Sequence, residues 1–248
     1  MLSCVRQCSE RVQTTDKQDP IQKCFRVFDP LFKFVIQSRR LYARATDGDS
    51  ENDFRQDVFS LFAIFNQIAS LTTENIIGTQ VVLLEHIFPV VEQLSSVMSK
   101  AEAAKLLSSL IDSLPSEPHP RITSARMNLV LTTVKSSLYS DTSARSVLLG
   151  TICRQLRLHL SHPPVSTSCT ESLGHMMNFY RTISLSSDQN KVVYCRLYHH
   201  VRICVGNISL MECRWIASGI ETWGSSLCRR STFSFTPFNT LSDLKPTW

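Results

Sequence analysis

Glycine is scarce in this chain, 7 residues in 248, which is about 3% against a usual share of roughly 7%. The shortage argues against a sandwich or barrel that turns on glycine. It also argues against a phosphate-cradling loop, where glycine lets backbone amides approach the anion closely. No G-x-G-x-x-G or G-x-x-x-x-G-K-S/T run is present, so nucleotide binding through those motifs is excluded. No stretch reaches the roughly 18 apolar residues needed to span a membrane. The first residues, Met1-Leu2-Ser3-Cys4-Val5-Arg6-Gln7-Cys8, lack the apolar core of a signal peptide. A soluble, cytoplasmic protein is expected.

Strong charge of one sign is also missing. The formal net charge is +5, but residues 1–189 hold 19 Lys+Arg and 18 Asp+Glu, whereas residues 190–248 hold 7 and 3. The basic excess therefore belongs to the last part of the chain. A nucleic-acid partner, which needs basic side chains gathered on one folded surface, is not expected. Nine cysteines, at 4, 8, 24, 153, 169, 195, 204, 213 and 228, are an odd number. A secreted disulfide framework would normally pair them, so reduced thiols are expected.

What the chain has, at 43% apolar residues, is helical periodicity. The polar residues 1–20 read as a disordered lead-in. Asp29-Pro30 is a helix-start signal, with Asp as N-cap and Pro at the first helical position. Leu31, Phe34, Val35, Leu41, Tyr42 and Ala45 then recur at helical spacing up to Asp47-Gly48-Asp49. Ser50 with Asp53 resembles a capping box, and Phe54, Val58, Leu61, Phe62, Phe65 and Ile68 share the face behind it. The third run, Ile76 to Leu94, contains Pro89, which should kink or split the helix near Phe88. Ser99 with Glu102 is a full capping box, followed by Ala103, Leu106, Leu107, Leu110, Ile111 and Leu114. Pro115 to Pro120 form a rigid loop.

Ile122, Met127, Val130, Val134 and Leu138 make a fifth stripe, closing at Tyr139. Asp141 or Ser143 caps a sixth helix, containing Leu149, Ile152, Leu156 and Leu160 and ended by Pro163-Pro164. A seventh starts near Ser168, with Leu173, Met176, Met177, Tyr180 and Ile183 on its buried side. The expected starts are 30, 51, 75, 100, 121, 142 and 168, so a helix pair repeats about every 45 residues, the range of paired-helix solenoids. The predicted fold is all-α, an armadillo/HEAT/TPR-like helical solenoid of about seven helices over residues 21–185. An irregular bundle is the competing architecture.

Candidate chemistry is thin. Zinc wants short paired Cys and His spacings. Cys153, His159 and His162 form the nearest cluster, but Cys153 and His159 are six apart on a helix and fall on different faces. The adjacent His199-His200 likewise diverge. No two carboxylates share an apolar helix face that would separate their pKa values. Arg39, Arg40 and Arg44 are the densest basic group in the helical part. They either grip an acidic partner or phosphate, or stay solvated near the negative end of the helix dipole. Met176-Met177 reads as core rather than as a binding surface. No catalytic, cofactor-binding or metal-ligating residue is assigned, and no cofactor is expected.

Several runs nevertheless carry a resemblance. Phe25-Arg26-Val27-Phe28-Asp29, Lys33-Phe34-Val35-Ile36-Gln37-Ser38-Arg39 and Tyr42-Ala43-Arg44-Ala45-Thr46 are followed in order by Asp53-Phe54-Arg55, Ser113-Leu114-Pro115 and Ser137-Leu138-Tyr139. Ala144-Arg145-Ser146-Val147-Leu148-Leu149 and Leu158-His159-Leu160 complete the series. Over about residues 21–185 this resembles the helical middle region of the dedicator of cytokinesis (DOCK) proteins, nearest to the subgroup acting on Rac and Rap. The resemblance implies guanine nucleotide exchange factors for Rho-family GTPases, in which a helical scaffold lies between a lipid-binding region and a downstream exchange region. It implies cytoplasmic proteins recruited peripherally to the plasma membrane, with ELMO-type and Crk-type adaptors among their partners. Nothing here matches the SH3, lipid-binding or exchange regions, so a non-catalytic scaffold fragment is expected. The alternatives are an independent armadillo-like adaptor with a helical groove for a partner protein, and a cysteine- or metal-dependent enzyme.

Residues 186–248 depart from the pattern. Tyr194-Cys195, His199-His200, Cys204, Cys213-Arg214-Trp215 and Trp223-Gly224 lead into a Ser/Thr/Phe-rich end, and all three tryptophans lie there. The segment reads as an irregular tail, disordered or non-native through a retained intron, splice variant or wrong reading frame, or else as a genuine divergent tail. An array left open at its end exposes an apolar face, from which self-association is expected.

Overall fold

The structure is a computed structural model that describes Gln7 and residues 18–46, 51–116, 118–160 and 162–184. The chain divides into two units, Met1–Phe179 and Tyr180–Trp248, and the packing described here is that of the first. His199-His200, the tryptophans, the cysteines beyond 169 and the Ser50 and Asp47-Gly48-Asp49 signals lie outside the described residues.

Among the described residues there are nine helices and no strand. They are α1 (Asp19–Arg26), α2 (Phe28–Ala45), α3 (Glu51–Ser70), α4 (Ile77–Leu94), α5 (Lys100–Ser113), α6 (Pro120–Lys135), α7 (Ser137–Ser140), α8 (Thr142–His159) and α9 (Pro163–Ser184), with a 3-10 turn at Glu74–Ile76. The seven long helices match the seven expected from periodicity. The short α1 and α7 are additional, and both precede or bridge the apolar runs that reveal longer helices.

From α2 to α8, each long helix packs chiefly on the long helix two places along. One row runs α2, α4, α6, and the other α3, α5, α8. Helix α9 continues the first row beside α6 through Lys135 Nζ–Glu171 Oε1 at 2.5 Å and Ser168 Oγ donating to Asn128 Oδ1 at 3.2 Å. First-row helices start at Phe28, Ile77, Pro120 and Pro163, close to the predicted pair period. An irregular bundle would not keep this alternation. The fold is an all-α helical solenoid, with each pair burying its apolar face against the next.

Cap chemistry explains several boundaries and corrects others. Ser99 forms the expected capping box: its Oγ accepts from Glu102 N at 3.2 Å, and the Glu102 carboxylate accepts from Ser99 N at 3.0 Å. Asp141, rather than Ser143, caps α8, accepting from the amides of Ser143 and Ala144. Asp29 is not a cap. Helix α2 already begins at Phe28, and Asp29 sits in its first turn, bound to Lys33 and to Gln93. Pro89 does not split α4, which runs through it from Ile77 to Leu94. The missing amide there is offset by burial on either side of the proline, with Ile87, Phe88, Val90 and Val91 all in the core. Pro163 does not merely end α8. It opens α9 five residues before the expected Ser168, because proline at the first turn gives up only a donor that has no helical partner.

The core begins with an aromatic cluster joining α1, α2 and α3. Phe28 lies 4.8 Å from Phe25, 5.6 Å from Phe32 and 5.6 Å from Phe65, and Phe62 lies 5.4 Å from Phe65. Tilted and edge-on pairs of this kind add about 0.5–1.5 kcal/mol each beyond area burial. The predicted inner faces of α3 and α5 hold, apart from Phe54, which is half-buried. In α8 it is Leu148, not Leu149, that is fully buried. Helix α2 is the large exception: its buried residues are Phe28, Phe32, Val35 and Ile36, whereas Phe34, Leu41 and Tyr42 are exposed.

Candidate functional site

Polar side chains tie neighbouring helix pairs together at several levels. On α1, Gln22 Nε2 donates to Thr79 Oγ1 of α4 at 3.1 Å, and Thr79 Oγ1 donates to Gln18 Oε1 at 3.1 Å. Gly78 gives this approach room, since a Cβ there would lie 3.3 Å from Gln22 Nε2 and press that side chain aside slightly. Between α2 and α4, Gln93 Nε2 donates to Asp29 Oδ1 at 2.5 Å. Gln80, fully buried, donates to the carbonyls of Ile68, Ala69 and Leu71, and so satisfies the end of α3 from α4.

The second row has equivalent ties. Arg55 Nη2 of α3 contacts both carboxylate oxygens of Glu102 at 2.5 Å, so the residue that closes the α5 capping box also receives α3. Hydrogen bonds from Ser99, then the Arg55 bond, hold Glu102 down at a pKa of about 2. Asn66 Nδ2 donates to Ser109 Oγ at 2.9 Å. Between α5 and α8, Asp112 Oδ2 takes Thr151 Oγ1 at 2.9 Å and Arg154 Nη2 at 2.5 Å.

The most deeply buried arginine among the described residues is Arg126 on α6, 1% exposed. Its Nη1 donates to Gln155 Oε1 at 2.9 Å, and its Nη2 donates to the Pro115 carbonyl at 2.7 Å. The same Nη1 lies 3.3 Å from His159 Nε2. Since arginine only donates, His159 Nε2 accepts, which places the ring proton on Nδ1. Burial, only partly offset by the Asp112 carboxylate, lowers the Arg126 pKa to about 10. Burial, then the positive Arg126, lowers His159 to about 4. A charged arginine and a neutral histidine thus pin Pro115, α6 and α8 together.

Of the residues singled out from sequence, His159 and His162 come together, with ring centroids 5.7 Å apart, and the others are dispersed. His159 is buried on Arg126, while His162 is exposed and Cys153 is half-buried. No group of three or more His, Cys, Asp or Glu that could hold a metal lies among the described residues. Burial pushes the thiols of Cys153 and Cys169 up to about 12, away from the thiolate form that attacks or ligates. The arginine trio separates: Arg39 pairs with Glu51 at 3.0 Å and lies over the rings of Tyr42 and Phe54, joining α2 to α3. Arg40 and Arg44 remain exposed. Met176 is buried and Met177 half-buried. The Arg126 centre was missed because its partners lie 11, 29 and 33 positions away; the only signal was an arginine beside apolar positions of an amphipathic helix. No helix among the described residues is long and apolar enough to cross a membrane.

Comparison with known proteins agrees with this architecture. The profile of the Dedicator of cytokinesis (DOCK) TPR region matches residues 1–213, a range that takes in the polar lead-in and continues beyond residue 185. Dedicator of cytokinesis protein 3 of mouse and of human is 31% identical over 177 residues, covering 69% of this chain and 9% of each relative. Dedicator of cytokinesis protein 4 of mouse is 26% identical over 189 residues, covering 74% of this chain and 9% of the relative. The chain thus spans about a tenth of the length of these relatives. No solved structure matches. A match over most of the chain, on a paired-helix stack with polar ties between successive pairs, places this protein in the DOCK family, as a form of its TPR-like helical region.

Proposed function

We propose that this chain is the helical scaffold segment of a DOCK-type guanine nucleotide exchange factor for Rho-family (Rac/Rap) GTPases, and is not itself catalytic. In such a protein it spaces a lipid-binding region from an exchange region. The Rho-family GTPase and ELMO-type and Crk-type adaptors are partners of the whole protein, which is cytoplasmic and recruited peripherally to the plasma membrane. The observation that carries this reading is the series of polar ties, from Gln93–Asp29 through Arg55–Glu102 to Asp112–Arg154 and Lys135–Glu171. Such ties resist sliding between pairs, as a spacer requires. We place the scaffold over residues 21–185, with 1–20 as a lead-in and 186–248 as an irregular, disordered or non-native tail.

Release of fluorescent GDP from Rac and Rap tests the catalytic part. The chain, shown by circular dichroism to be strongly helical, leaves the release rate unchanged; measurable acceleration overturns the reading. A chimera tests the scaffold part. Residues 21–185 replacing the matching stretch of Dedicator of cytokinesis protein 3 leave that protein's activity intact, and a loss of activity in a well-folded chimera counts against a spacer. A second reading, an independent adaptor that binds a partner protein along a helical groove, is favoured by the exposed apolar face of α2. One stoichiometric partner unrelated to GTPase signalling decides for it.

A further inference from the structure

Helix α2 carries two amphipathic patterns, only one of which the fold uses. Phe28, Phe32, Val35 and Ile36 enter the core. Leu31, Phe34, Ser38, Leu41 and Ala45, led by the cap residue Val27 just before the helix, form a second row with intervals of four, three, four, three and four. That is the 3.5-residue period of a helix-packing seam. The row is open: Val27 is 51% exposed, Phe34 59% and Leu41 66%, with Ser38 and Ala45 also exposed and Leu31 half-buried. Isolated exposed leucines are ordinary, but a contiguous seam of this period is not.

Cations lie beside the seam. Lys33, Arg40 and Arg44 are exposed on α2, and Arg26 is exposed at the end of α1. Lys33 is held by Asp29 at 2.6 Å; Arg26, Arg40 and Arg44 make no ion pair among the described residues. The one acid of α2, Asp29, is already engaged by Lys33 and Gln93. The surface is thus a narrow apolar seam with a cationic margin.

We propose that this face of α2 docks an amphipathic helix of a partner protein that is acidic along the flank of its apolar seam. The seam fixes the partner as a helix, because a 3.5-residue row offers knobs and holes to another helix. A membrane surface favours a broader apolar face, of the kind that sinks into the headgroup layer. The margin fixes the sign of the partner's charge and disfavours a second copy of the same face, which would bring Arg40 and Arg44 against like charge. The proposal does not depend on the exchange-factor reading.

The test uses the full chain and a fluorescein-labelled three-heptad peptide with Leu at each a and d position and Glu at each e and g position. A peptide with Lys in place of Glu, and vesicles of phosphatidylcholine with phosphatidylserine, are the comparison arms. The acidic peptide binds, its affinity falls as salt rises, and the basic peptide and the vesicles do not bind. Phe34→Ser with Leu41→Ser weakens binding roughly ten-fold or more, with circular dichroism unchanged since both side chains are exposed. Arg40→Glu with Arg44→Glu weakens the acidic peptide and gains binding of the basic one, a reversal that a folding defect cannot produce. Equal binding of both peptides, no binding of either, vesicle binding that depends on Phe34 and Leu41, or a dimer of the chain broken by the Phe34 and Leu41 changes each overturns the proposal.

Discussion

Arg126 and Arg44 are the same side chain in opposite settings, and the contrast separates what holds this protein together from what it presents. Arg126 on α6 is enclosed against α8 and Pro115, with a partner for each terminal nitrogen. Arg44 stands in solvent beside an apolar seam. The same holds for the phenylalanines of α2, where Phe32 is fully buried and Phe34 is mostly exposed. Substitution of Arg126 is therefore expected to act on stability, and substitution on the outer face of α2 on the proposed docking with little change in stability.

The largest effect that tests this division is Arg126→Ala. It opens a cavity and leaves the Gln155 side chain and the Pro115 carbonyl unpaired in the core. A loss of about 3–5 kcal/mol is expected in urea unfolding. A loss below about 1 kcal/mol would remove the centre from the account.

The next effect is of pH. His159 has a folded pKa near 4 against about 6.5 unfolded. Above pH 6.5 both states are neutral at this site and its contribution is complete. As pH falls from 6.5 towards 4, the unfolded chain takes a proton that the folded one refuses. Stability then declines by up to about 1.4 kcal/mol per unit. His159→Gln flattens that slope, and an unchanged slope in this variant would refute the assignment. Glu102, held near 2, adds its own decline between pH 4.5 and 2, because protonation removes its bonds to Ser99 and Arg55.

A smaller loss, about 1–2 kcal/mol, is expected for Glu102→Ala, which removes half a capping box and the tie to α3. Hydrogen exchange at the start of α5 should rise with it. The smallest effect is on α2: Phe34→Ser, Leu41→Ser, Arg40→Glu and Arg44→Glu each shift unfolding by less than about 0.5 kcal/mol. A larger shift would make the seam part of the fold.

How much of this was legible in the sequence depends on the range of the interactions. Local signals read well: Ser99 with Glu102 marks the start of α5, Asp141, one of two candidates, that of α8, and the period of apolar residues locates seven long helices, although α9 begins five residues earlier than expected. Two proline readings failed because context decides proline's role. Pro89 is carried within a helix buried on both sides of it, and Pro163 opens a helix as well as following one. The face of α2 was misread because two apolar rows wind round it, and sequence alone cannot say which one a neighbour covers. Asp29 looks like a cap until its bond to Gln93, 64 positions away, is seen. The arginine trio was legible as a cluster, but not its division, since Glu51 and Phe54 capture Arg39 only once α3 lies beside α2. The Arg126 centre, with partners on α8 and in the loop, left almost no trace.

Native-state hydrogen exchange along the chain, compared between the parent protein and Arg126→Ala, tests the central claim most directly: that successive helix pairs form one stack fastened from within. The account predicts that α6 and α8 lose protection together, with α4 and α5 following through their contacts. Loss confined to the residues around position 126, with α8 unaffected, would contradict it.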